Sequence, residues 1–103
     1  MNKMPNKANM IVQYIVEFIG AFIFFSVIMQ TGGNAIAIGV ALTAVIFFGG
    51  YICGGAFNPA VSFMRILDGQ ITFVELICFV AVQTAAALCA YQLYKNTKFL
   101  LKT

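Results

Sequence analysis

The sequence contains no histidine, and only three acidic side chains against six lysines and arginines in 103 residues. Without histidine, the commonest metal ligand and proton-transfer side chain near neutral pH is missing. Cys53, Cys78 and Cys89 lack metal-ligand spacing, so no metal site and no cofactor are expected. All three cysteines lie in apolar stretches, which predicts small packed thiols rather than a disulfide framework. Polar surface is missing too. With 62% hydrophobic residues, the chain cannot cover a soluble domain of this size. The composition predicts an all-α integral membrane protein with the lipid bilayer as its first partner and no role for nucleic acid.

Long apolar runs are what remain. Residues 1–10 read as a short basic tail with Lys3, Lys7 and Pro5. Residues 11–30 form a first span, because a rise of about 1.5 Å per residue matches a hydrocarbon core of about 30 Å. This run exceeds the apolar core of a cleaved signal peptide and lacks a clear A-x-A site. Gly32, Gly33 and Asn34 predict a tight turn, residues 35–53 a second span and residues 71–94 a third. A basic tail at 95–103 follows, with Lys95, Lys98 and Lys102. Small residues at helical spacing predict close helix packing: Gly20, Gly39 and Thr43, then Ala81, Ala85, Ala86, Ala87 and Ala90.

One stretch breaks the pattern, Gly49 to Phe63, reading G-G-Y-I-C-G-G-A-F-N-P-A-V-S-F. Asn58 is a strong helix N-cap and Pro59 suits the first helical position. The glycines at 49, 50, 54 and 55 permit a tight non-helical path. The expectation for residues 54–67 is a non-helical descent to membrane depth followed by a half-helix from Pro59 to Leu67, about 13 Å long. The turn signal Asp68-Gly69 ends it. Irregular backbone at such depth survives only where it is buried or lines water, so this is a pore-building device.

Three full spans and one half-span put the chain ends on opposite sides. Lys3, Lys7 and Arg65 then face Lys95, Lys98 and Lys102, three against three. Lys/Arg asymmetry sets membrane orientation, so this chain has almost no orientation preference. Such balance is what a chain inserting both ways, and pairing antiparallel with itself, would show.

These residues resemble a known family. A-F-N-P-A-V-S-F (Ala56 to Phe63), behind G-x-x-x-G-G, together with V-E-F-I-G-A-F (Val16 to Phe22), Ile38-Gly39 and Gln83, is similar to the first half of the aquaporin, or major intrinsic protein, family. The resemblance implies three transmembrane helices plus one re-entrant half-helix, in place of the six spans and two N-P-A motifs usual there. It implies a passive channel rather than an enzyme, carrying water or small neutral, glycerol-like solutes. Asn58, Pro59 and Ala60 would form the pore motif, and the carbonyls of Gly54, Gly55, Ala56 and Phe57 would line the descent. Glu17 and Gln83 would support the loop. By analogy the selectivity constriction falls on Ile38, Ile46, Gly55 and Val61, with Val61 where the second motif of the family carries arginine. Arg65 is expected to snorkel to head groups or pair with Asp68 rather than to replace that arginine.

One half-helix cannot close a pore. The leading expectation is therefore an antiparallel homodimer, with four such pairs if the family's tetramers are reproduced. Two other readings compete: a non-conducting subunit that packs against another channel half, and a small dual-topology proton-coupled transporter using Glu17.

Overall fold

The computed structural model describes residues 7–101, and among them every regular element is a helix. In chain order these are α1 (Lys7–Gln30), α2 (Ala35–Cys53), α3 (Pro59–Leu67) and α4 (Phe73–Leu101). Three of them, α1, α2 and α4, are long and apolar enough to cross a membrane, whereas nine-residue α3 is not. The chain is an all-α, multi-pass membrane protein.

Helix α1 is the hub. It packs against both α2 and α4, while α3 packs against α4 and no packing joins α2 to α3 or α4 among the described residues. Helices α1 and α4 run side by side in the same direction. The Tyr14 and Phe79 rings meet edge to face at 4.9 Å near one end, and Gln30 Nε2 donates to Thr97 Oγ1 at 3.0 Å near the other. The turn after α1 reverses the chain. Asn34 caps α2 by accepting from the Ala37 amide at 2.9 Å.

Three expected boundaries change. The basic tail expected at 95–103 is helical as far as Leu101, and α4 reaches about 43 Å, more than a bilayer core needs. No glycine or proline follows Tyr94, so nothing stops the helix there. At its start, Thr72 and Glu75 form a reciprocal capping box: the Thr72 amide donates to Glu75 Oε1 at 2.8 Å, and the Glu75 amide to Thr72 Oγ1 at 3.1 Å. The third span thus begins at Phe73 rather than Ile71. The N-terminal tail is helical from Lys7, while Lys3, Pro5 and Lys102 lie outside the described residues.

Small residues pack as expected at some positions and not at others. Gly20, Ala86 and Ala90 are buried, whereas Ala81, Ala85 and Ala87 are exposed. Gly39 has open space around it, and Thr43 turns its hydroxyl to the Gly39 carbonyl at 2.7 Å. The reason is positional: α2 meets only α1 within this chain, so its opposite face has no neighbour. The three cysteines are free, but only Cys53 is fully buried; Cys89 is exposed.

Candidate functional site

The site is built where α2 ends. The Gly54 amide donates to the Gly50 carbonyl at 2.7 Å, closing the last turn, and Gly54 and Gly55 then take φ values of 93° and 73°. Two consecutive residues in the left-handed region require glycine, because a Cβ there meets the following carbonyl. The Gly55 amide is taken by Cys53 Sγ at 3.4 Å. Two residues on, Phe57 also has positive φ, 50°, although it carries a bulky side chain. Such a conformation costs on the order of 1–3 kcal/mol and persists only where its surroundings dictate it.

Two contacts dictate it. The Phe57 amide donates to Glu17 Oε2 on α1. The Phe57 ring is fully buried, and its Cε1 lies 2.2 Å from where a Cβ on Gly20 would be. Glu17 and Gly20 are three residues apart and share one face of α1. One helix face therefore holds the backbone of Phe57 with a carboxylate and its ring with a vacancy.

Gln83 extends the arrangement from α4. Its Nε2 donates to Glu17 Oε2 at 2.6 Å and to Ser62 Oγ of α3 at 2.8 Å. Glu17, Gln83 and Ser62 are all fully buried. In a low-dielectric setting such polar groups persist only when hydrogen-bonded. Here each bond joins a different pair of elements: α1 to the loop, α4 to α1, and α4 to α3.

Asn58 then starts α3. With extended backbone (φ −160°, ψ 130°), its Oδ1 accepts from the Ala60 amide at 2.7 Å, and Pro59 occupies the first turn. Pro59 and Ala60 are exposed on the surface of this chain. Ala56 and Phe57 are buried, Gly55 is half-buried and Gly54 exposed. Of the four constriction residues, Ile46 and Gly55 are brought together, with Ile46 Cγ1 3.8 Å from a Cβ built on Gly55. Ile38 lies about 12 Å further along α2, and half-buried Val61 is on α3, so one chain does not gather all four into a ring.

Arg65 departs from expectation. Asp68 accepts from Gln70 Nε2 at 2.7 Å instead, and Arg65 turns back to donate from Nη1 to the Cys53 carbonyl at 3.3 Å. Its guanidinium also covers the Phe79 ring at 5.3 Å. The carbonyl at the end of α2 carries the negative end of the helix dipole and so attracts the guanidinium. Ser62 and Phe79 also went unnoticed in the sequence. Spacing offers a signal for Phe79, four residues before Gln83 and hence on its face of α4.

The major intrinsic protein family model matches residues 4–100. Among curated proteins, the chain is 28% identical to Aquaporin-10 of Homo sapiens over 82% of this chain and 34% of that protein. It is also 28% identical to Glycerol uptake facilitator protein-like 6 of Lactiplantibacillus plantarum, over 82% of this chain and 43% of that protein. To Lens fiber major intrinsic protein of Oryctolagus cuniculus it is 36% identical, over 61% and 24%. The chain spans less than half the length of these relatives. No solved structure matches.

Proposed function

Because the chain belongs to the major intrinsic protein family, we propose that it forms a passive channel for water and small neutral, glycerol-like solutes, completed by an inverted second copy. The observation that carries this reading is the tip of α3. Pro59 and Ala60 start a helix about half a bilayer long, and both are exposed on this chain. A helix N-terminus exposed at membrane depth needs either protein or water against it. A second half-helix entering from the other face supplies protein on one side and leaves a water-filled path on the other.

In that assembly the Asn58 side chains offer amide donors to passing oxygens, and the carbonyls of Gly54 to Phe57 offer acceptors. Two half-helix ends meeting at the midplane repel cations and orient water so that proton relay is broken. Glu17 and Gln83 hold the loop in its strained path. The constriction residues Ile38, Ile46, Gly55 and Val61 carry no charge, so water entering them recovers few hydrogen bonds. Discrimination among small neutral solutes is correspondingly poor.

The test uses the chain alone, reconstituted in liposomes. Stopped-flow shrinkage should show glycerol permeation, native mass in a mild membrane mimic should show an even number of copies, and both tails should be labelled from one face in intact cells. Fast water flux with complete glycerol exclusion contradicts the apolar constriction. One accessible tail contradicts dual insertion. No flux without a partner chain favours the accessory-subunit reading.

A further inference from the structure

Among the described residues Arg65 makes no ion pair with a carboxylate. Asp68 accepts from Gln70, Glu17 from Phe57 and Gln83, and Glu75 from Thr72. The one hydrogen bond of Arg65 runs to the Cys53 carbonyl, and its Nε is buried without an acceptor among the described residues. The guanidinium lies flat against Gly54: a Cβ built there would be 2.5 Å from Nη2 and 2.6 Å from Cζ. The Phe79 ring centroid lies 5.3 Å from the Arg65 Cζ. A planar cation close to both a glycine backbone and an aromatic ring is held in one place, as a lysine could not be. It is also a bridge, because α2 and α3 do not otherwise pack.

We infer that Arg65 is a positioning and specificity residue: it pins the loop where it leaves α2 and fixes a positive charge at the mouth of the path. The charge part rests on the channel reading above, in which the carbonyls from Gly54 onward line that path. An exposed Gly54 with a guanidinium on it places the charge at the first of those carbonyls. A fixed cation in a poorly solvated mouth repels cations and leaves neutral solutes unopposed. In an inverted pair both mouths carry one.

The experiment compares wild type, R65Q, R65K and G54A in liposomes, reading glycerol flux and proton leak side by side. R65Q should lower glycerol flux and raise proton leak. R65K should restore proton exclusion without restoring flux, since lysine returns the charge but not the planar fork. G54A is the control for loop disruption: it strains the backbone at φ 93° besides crowding the guanidinium, so it should quicken exchange at 54–57 with or without Arg65. Amide exchange at residues 54–57 is followed in the same preparations. It should quicken roughly tenfold in R65Q, as for loss of a charge-assisted hydrogen bond. Unchanged leak, flux and exchange in R65Q would overturn the inference. If wild type carries no solute, the channel reading fails, and exchange alone decides the loop-pinning role: faster in R65Q supports it, unchanged refutes it.

Discussion

The Glu17 carboxylate accepts the amide proton of Phe57, a residue 40 positions further along the chain. That bond joins a long apolar helix to a loop with three positive-φ residues, Gly54, Gly55 and Phe57. It explains why a carboxylate is kept deep in an apolar helix, since the loop amides there have no water to turn to.

Replacing Glu17 by Gln keeps an acceptor but removes its charge, and adds an amide that must face the Gln83 amide. A loss of about 1.5–3 kcal/mol in stability is expected, the size of a hydrogen bond to a charged group. Chemical unfolding in detergent measures it. Wild-type glycerol flux should not respond to an imposed proton gradient; uptake driven by such a gradient would revive the carrier reading of Glu17.

Gly20→Ala tests the vacancy under Phe57. The new methyl would sit 2.2 Å from the ring Cε1, so the ring or the loop must move. Overpacking of this kind costs roughly 1–3 kcal/mol. Gly39→Ala is the internal comparison, because nothing lies within 4 Å of its added carbon. Equal thermal stability of the two variants would show that the Phe57 ring is not held as described.

Asn58→Ala removes the acceptor for the Ala60 amide and should destabilise the start of α3 by about 0.5–2 kcal/mol. Under the channel reading glycerol flux falls as well, because the side-chain donor is lost with the cap. Flux measured per inserted protein separates this from poor expression, and unchanged flux would remove Asn58 from the path.

Thr72→Ala breaks the capping box of α4 at the membrane surface, far in sequence from the loop. It should cost about 1 kcal/mol in stability with unchanged flux per protein. A drop in flux would mean that the start of α4 also shapes the path.

Much of this was legible in the sequence. The three spans followed from run length against bilayer thickness, and the half-helix from Asn58-Pro59 behind paired glycines and ahead of Asp68-Gly69. Glu17 stood out as a charge where charges are costly. Local rules sufficed because each of these features is governed by residues within one or two turns. The capping box at Thr72 and Glu75 was equally local and readable, as T-x-x-E before an apolar run, yet the span was expected to start at Ile71.

The long-range contacts were of another kind. Nothing local says that Ser62 faces Gln83, 21 residues on, or that Phe57 adopts a positive φ because Gly20 makes room for its ring. Arg65 shows the limit best. Its nearest opposite charge in sequence is Asp68, which by spacing alone points to an ion pair or to the head groups. The fold instead brings the Cys53 carbonyl and the Phe79 ring to it. The sequence by itself determined that this chain crosses a membrane three times and dips in once, because hydrophobic length and helix capping are properties of short segments. Only the tertiary structure decided what holds the dip in place, because the alignment of α1 with α4 sets which buried polar groups can reach the loop.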